Sequence, residues 1–182
     1  MRNHSFAAAL AVAVAAAVCA SFSAAPARAG EVGKKTKPLA ADALRAKLRG
    51  SIGGWKFEHE PPRMDPDIQK PLLDMPSASG HYVNGKKRAK LSIIDTASAG
   101  LAADSDGLQP LVNAETPDGL LSVTKHGTRM VTERLGNENK ATVEVTLKNG
   151  VLVLVEGANE DMPELKKLFD GIDLDAIEKL KR

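Results

Sequence analysis

Ala141-Thr142-Val143-Glu144-Val145-Thr146-Leu147, then Lys148-Asn149-Gly150, then Val151-Leu152-Val153-Leu154-Val155-Glu156 is the stretch whose reading decides the fold. In its first segment every second residue is apolar, which is the period of a strand with one wet face in an antiparallel sheet. In its last segment Val151 to Val155 are apolar without interruption, which predicts a central strand covered on both sides. Lys148-Asn149-Gly150 between them is turn chemistry, so the two strands form a hairpin.

Working outward toward the N-terminus, Leu120 to Lys125 and Thr128 to Arg134 flank His126-Gly127 as a second hairpin. A third runs from Gly80-His81-Tyr82-Val83 through Asn84-Gly85, a dipeptide suited to a type I′ turn, to Arg88–Thr96. Trp55-Lys56-Phe57-Glu58-His59 alternates apolar and charged residues after a turn at 51–54, and Pro61 and Pro62 end it. Residues 61–79 read as an irregular loop with one helical turn near Ile68 to Leu73. Asp95-Thr96 caps an Ala/Gly-rich stretch, Ala97 to Ala103, that reads as a short helix or a loop.

Helix signals stand at both ends of the mature chain. Pro38 opens Leu39 to Arg49, with Leu44 and Leu48 on one face, and Gly50 closes it. Asp161 and Glu164 have the spacing of an Asp-headed capping box, Met162, Leu165, Leu168 and Phe169 form an apolar stripe, and Gly171 ends that helix. Asp173 caps a second short helix carrying Ile177 and Leu180. The expected class is α+β: a mostly antiparallel sheet of about six strands with an N-terminal helix and C-terminal helices packed against it.

The beginning of the chain reads as an export signal. Arg2 supplies the charge, Phe6 to Ala25 the apolar run, and Ala27-Arg28-Ala29 the A-x-A cleavage pattern, placing the cut between Ala29 and Gly30. The expected organisation is a signal peptide over 1–29, a flexible leader over 30–37 and one α+β domain over 38–182. A permanent anchor is the rival reading, set against the weakly apolar, Ala-dominated run. Lipidation at Cys19 is a minority reading, because Val18 stands where a lipoprotein signal usually has a small residue. Cys19 is the one cysteine, so the mature chain forms no disulfide.

Of 25 basic residues, Arg2 and Arg28 lie in the signal, and none of the 23 acids does, so the mature chain carries 23 of each. That balance argues against a nucleic-acid partner, which calls for a basic excess. The mature chain has no stretch long enough for a stable membrane span after cleavage. Its aromatics are Trp55, Phe57, Tyr82 and Phe169, so stacking platforms for bases or sugars are scarce.

The Asn84-Gly85 hairpin returning to Ile93-Ile94-Asp95-Thr96, the strands ending Val153-Leu154-Val155-Glu156-Gly157, and the closing Met162, Leu165, Ile172-Asp173 and Leu180 resemble small exported bacterial proteins of no assigned function. The resemblance covers about residues 77–180 and implies no catalytic residues. At the level of fold alone the pattern is similar to the sheet-and-helix domain of extrinsic photosystem II subunits and to mycobacterial secreted proteins, and a shared fold carries no function with it.

Among candidate sites, His59 beside Glu58 and Glu60 and near Asp65 and Asp67 is the best metal candidate, with His81 and His126 as further ligands if all three meet in space. The plain reading of His59 is a strand end with solvated charges, because neighbouring strand residues point to opposite faces. No G-x-S-x-G elbow marks a nucleophilic serine, and without a mature cysteine there is no thiol chemistry. Asp104-Ser105-Asp106-Gly107 fails as a calcium loop at both ends, since Ala102 falls where the first ligand stands and Asn113 where the closing glutamate stands.

Lys86, Lys87, Arg88 and Lys90 read as solvated edge lysines before they read as a contact for an anionic surface. Val151–Val155 with Met162, Leu165 and Phe169 reads as core before it reads as a lipid-sized pocket. The expected function is that of a non-enzymatic envelope protein, periplasmic or secreted, binding a partner protein or a small apolar ligand, with no cofactor. The alternative is a metal-assisted hydrolase using His59 with His81 or His126.

Overall fold

A computed structural model describes residues 35–48, 50–59, 75–101 and 109–182, within the compact unit Val32–Arg182. Nine antiparallel strands form one sheet: β1 (Ser51–Ile52), β2 (Trp55–His59), β3 (Ser77–Asn84), β4 (Lys87–Asp95), β5 (Leu111–Thr116), β6 (Gly119–His126), β7 (Arg129–Gly136), β8 (Ala141–Thr146) and β9 (Val151–Gly157). Their order is β1-β2-β3-β4-β9-β8-β7-β6-β5. Two meanders are thus joined where β4 pairs with β9, and β9, with its apolar run Val151–Val155, is the middle strand of the nine. Among the described residues three α-helices accompany the sheet: α1 (Ala41–Arg45), α2 (Met162–Asp170) and α3 (Leu174–Glu178).

Alternation decides which face meets the helices. Val151, Val153 and Val155 of β9 stand opposite Asp95, Ile93 and Leu91 of β4, and Val153 and Val155 opposite Val145 and Val143 of β8. These apolar residues form one core with Leu44 and Leu48, Leu165, Leu168 and Phe169 of α2, and Leu174 and Ile177 of α3. All three helices therefore lie on this first face. Leu152 and Leu154 point to the second face and are buried there outside the main core, so β9 is covered on both sides as its sequence requires. No helix among the described residues is long and apolar enough to cross a membrane.

The α+β class and antiparallel pairing agree with the sequence reading, and the strand count does not: nine stand where about six were expected. The N-terminal helix is also shorter than 39–49. After Arg45 the turns tighten, Lys47 and Leu48 donating to Leu44 and Arg45 three residues back, and the freed carbonyl of Leu48 accepts the Tyr82 hydroxyl. Residues 51–54, read as a turn, form a small hairpin in which Ile52 faces Trp55 across Gly53-Gly54. Both loop glycines have positive φ, 56° and 85°, the type I′ pattern. A Cβ on Gly53 would lie 2.3 Å from the carbonyl oxygen of Lys167 in α2, so the turn seats directly on that helix.

Three further expectations need correction. Asn84 pairs with Lys87, which leaves Gly85-Lys86 as the loop; φ is positive at Gly85 alone, the type II′ pattern, because a lysine at the second position resists the left-handed region. Strand β3 begins at Ser77, three residues before the expected Gly80. At α2 no side chain caps the N-terminus: Glu164 binds Lys167 at 3.0 Å, whereas Asp173 does cap α3 through the amide of Ala176 at 2.8 Å. The stretch after Asp95 is a 3-10 turn, Thr96–Ala99, closed by left-handed Gly100. The leader and domain boundaries have one structural mark, since Thr36 donates to Ala97 and the Lys37 carbonyl accepts from Arg182.

One buried polar hub ties chain ends to the sheet. The Asp95 carboxylate, fully buried, accepts from the Leu39 amide at 2.9 Å and the Ser98 amide at 3.3 Å, and takes both terminal nitrogens of Arg182 at 2.8 Å. Arg182 also donates to the Asn149 carbonyl at 2.5 Å. Every donor-acceptor direction at this carboxylate is used, which is how a fully buried charge becomes tolerable.

Candidate functional site

The three histidines do not converge. His59 and His81 occupy opposed positions on β2 and β3, beside a bulge between Phe57 and His59. His126 ends β6 on the first face, its Nδ1 3.7 Å from Asp170 and its ring edge-on to Phe169. Five strand spacings separate β3 from β6, roughly 24 Å along the sheet. Among the described residues no group of three or more His, Cys, Asp or Glu side chains is arranged to hold a metal ion. Glu60, Asp65, Asp67 and the segment Asp104-Ser105-Asp106-Gly107 lie outside the described residues, as do the signal and Cys19.

The pairing of His59 with His81 is the start of a longer row. Across the second face His81 is opposite Lys90, Lys90 opposite Glu156, Glu156 opposite Thr142, and Thr142 opposite Arg134. Glu156 is bound by Lys140 at 2.8 Å and Lys90 at 3.6 Å, and Arg134 reaches Glu144 at 3.8 Å. Burial holds the Glu144 carboxyl above its ordinary value, Arg134 opposing and Glu156 adding to the shift. These charges neutralise one another in place and leave the row as scaffold.

Of the basic cluster, Lys86 is exposed in the turn and the other three residues are likewise committed. Strand β4 is interior, so Lys87, Arg88 and Lys90 do not guard an edge: Lys87 reaches Asp161 at 3.4 Å, Arg88 reaches Glu58 at 3.1 Å and Lys90 reaches Glu156. The segment read as core is core: Val151, Val153 and Val155 share one cluster with Leu165, Leu168 and Phe169, with Met162 packed against it, where the lipid-sized pocket was the lesser alternative.

What remains open is the far end of the first face. Helix α2 packs on β8 and β9 and reaches β7 through Lys166 and Glu133 at 2.8 Å. Arg129 ties the tip of the β6–β7 hairpin to α3 through Asp175 at 2.5 Å and Glu178 at 2.7 Å. Beyond β7, strands β5 and β6 overhang the helices. Of three exposed large apolar side chains among the described residues, two are here: Val112 at 74% and Leu120 at 37%. Leu120 stands opposite Leu135 on the first face, and between them opens a wide-mouthed depression of about 570 Å³ lined also by Glu115, Thr116, Asn137 and Asn159. A smaller hollow, about 190 Å³, lies between His126, Arg129 and the acids of α2 and α3.

Sequence reasoning missed this overhang because β5 lacks a clean period of two. The register between β5 and β6 slips between Leu111 and Ala114, where Asn113 adopts φ of 49°, and the bulge cancels the alternation in Leu111-Val112-Asn113-Ala114-Glu115-Thr116. The usable signal was Pro117-Asp118-Gly119, turn residues between two apolar segments. No family model, no curated protein and no solved structure matches the chain.

Proposed function

We propose that the chain is an exported, non-enzymatic envelope protein, periplasmic or secreted after cleavage between Ala29 and Gly30, that binds a partner protein or a small apolar ligand through the β5–β6 overhang. The observation that carries this reading is that β5 and β6, on the part of the sheet that the described helices leave free, expose Val112 and Leu120, and Leu120 lines an open depression. Exposed apolar surface beside an open cavity is favourable to cover, at roughly 25 cal/mol per Å² of apolar area. The bulge at Asn113 twists the β5 edge out of a flat ladder, so contact is made by side chains and not by strand addition.

The test is site-specific photo-crosslinking in cells that export the protein. A crosslinker replacing Val112 yields a discrete adduct, and one replacing exposed Lys56 on β2 yields none; matching adducts from both, or none from Val112, would refute the reading. The metal-assisted alternative retains one supporting observation, the opposed positions of His59 and His81. It requires stoichiometric zinc on the purified protein that disappears in His81→Ala.

A further inference from the structure

The guanidinium of Arg182 gathers three stretches of chain that lie far apart in sequence. It donates to the Lys37 carbonyl at 2.9 Å and to the Asn149 carbonyl at 2.5 Å, while its own charge is spent on Asp95. Further bonds stitch the same stretches together. Thr36 donates to Ala97, whose amide donates to Gly150; the Asn149 side chain donates to the Ile177 carbonyl, and the Lys148 amide to Glu178. Residues 35–37, the β8–β9 turn and the chain after α3 therefore form one surface at one end of the strands.

Each stretch brings lysines to that surface: Lys35 and Lys37, Lys148, and Lys179 and Lys181. All five are exposed, and among the described residues none of them has an ion pair. On the body of the sheet and on α2, by contrast, Lys87, Lys90, Lys140, Lys166 and Lys167 each reach an acid. The acids bound into the lysine-bearing end are already neutralised. Asp95 is fully buried against Arg182, and Arg129 holds both Asp175 and Glu178. Positive charge thus stands uncompensated at one end of a domain in which basic and acidic residues are otherwise balanced.

We infer that this end docks on the surface of an anionic phospholipid bilayer, with Lys35, Lys37, Lys148, Lys179 and Lys181 among the headgroups. In the sequence nine residues, 26–34, separate Lys35 from the apolar run that ends at Ala25, a reach of about 35 Å at full extension. While that run is in the exporting membrane, the five lysines stay within that reach of the bilayer. Each lysine close to anionic headgroups strengthens binding about fivefold. The assignment to a bilayer rests on the export reading, and the surface is separate from the β5–β6 overhang.

Co-sedimentation of the purified exported protein with vesicles tests it, using phosphatidylcholine alone and phosphatidylcholine with about one third phosphatidylglycerol. The protein sediments with the anionic vesicles and not with the neutral ones, and added salt releases it. Lys148→Gln combined with Lys181→Gln weakens the partition roughly 25-fold. Lys56→Gln combined with Lys86→Gln removes the same charge from exposed positions on β2 and in the β3–β4 turn, and leaves the partition unchanged. Both double variants keep the wild-type unfolding midpoint.

Equal sedimentation with neutral vesicles, no weakening in the Lys148 and Lys181 variant, or equal weakening in the Lys56 and Lys86 variant overturns the assignment. Poly-L-glutamate bound as tightly as the anionic vesicles through the same lysines also overturns it, in favour of a soluble polyanion. N-terminal sequencing of the same sample keeps the export reading apart: a start at Met1 refutes cleavage whichever way the vesicles read.

Discussion

Replacing Arg182 by Met removes the guanidinium that closes the polar hub and keeps an unbranched apolar stem. In the wild type both terminal nitrogens lie 2.8 Å from the Asp95 carboxylate oxygens, and each also reaches a carbonyl, Lys37 at 2.9 Å and Asn149 at 2.5 Å. Breaking a buried pair from one side costs about 3–5 kcal/mol, most of it the uncompensated charge left behind. Here Asp95 keeps the amides of Leu39 and Ser98, and the Arg182 side chain is 19% exposed, so water reaches the vacated position.

The low end, about 3 kcal/mol, is therefore expected for Arg182→Met. For a domain of this size that corresponds to a fall of about 6–12 °C in the unfolding midpoint. Chemical denaturation of wild type, Arg182→Met, Asp95→Asn and the double variant measures the coupling. The double variant should be less destabilised than the sum of the singles, and the loss should change little with salt, because the pair is buried. A loss below about 1 kcal/mol, or strict additivity, would show that the hub is an exposed pair of the ordinary weak kind.

Gly53→Ala places a Cβ against the Lys167 carbonyl at a residue with φ of 56°, and the turn must lift from α2; a loss of about 2 kcal/mol or more is expected in denaturant melts, against about 1 kcal/mol for Gly85→Ala, where φ is also positive but the Cβ meets nothing. Glu144→Gln should raise stability at neutral pH, because burial raises the folded-state pKa and the unfolded chain gains more by ionising; the gain should vanish at pH 3, where both forms are neutral. Burial also pushes the Tyr82 phenol up to about 12, so between pH 10 and 12 the unfolded state loses its proton first and stability falls; Tyr82→Phe, which gives up the bond to the Leu48 carbonyl, should lose that alkaline limb. On the acid side, burial pulls Glu178 up, but the Arg129 guanidinium and the Lys148 amide outweigh it and hold Glu178 below its ordinary value, as Arg129 does Asp175. That stabilisation is present above the unfolded-state pKa and is lost as pH falls through the folded one, so Arg129→Ala should flatten the acid limb of a stability profile.

The parts of the fold that were legible are those where one physical signal acts alone. Val151 to Val155 announced the central strand because nothing but burial on both faces accounts for five successive apolar residues, and Thr142 to Leu147 announced its neighbour by strict alternation. Signals failed where two requirements met at one residue. Asn84-Gly85 has I′ chemistry, yet the ladder extends to Asn84 and hands the loop to Gly85-Lys86. Asp161 and Glu164 have capping-box spacing, yet Glu164 is drawn to Lys167 while Lys87 reaches Asp161. At the candidate site the residues are ordinary one by one; what makes them a site is that Glu115, Leu120, Leu135 and Asn159 line one depression, and that gathering depends on how segments apart in sequence come together.

The topology explains why an open surface falls at this end. The first meander, β1 to β4, is covered by α1 and by α2 through Trp55, whose indole donates to the Glu164 carbonyl at 3.1 Å, and its edge strand has two residues. The second, β5 to β9, receives the C-terminal helices on β8 and β9 because α2 follows directly from β9 and must fold back onto its own neighbours. A helix of nine residues spans only about 14 Å, too short to shelter the four strand spacings from β9 to β5, about 19 Å. Strands β6 and β5 are therefore left beyond the helices by geometry, before any side chain is chosen. Given that position, charged or short polar residues would suffice to keep the overhang solvated. Val112 and Leu120 stand there instead, and a surface kept apolar where solvation would be easier is the feature that favours binding over bare scaffold.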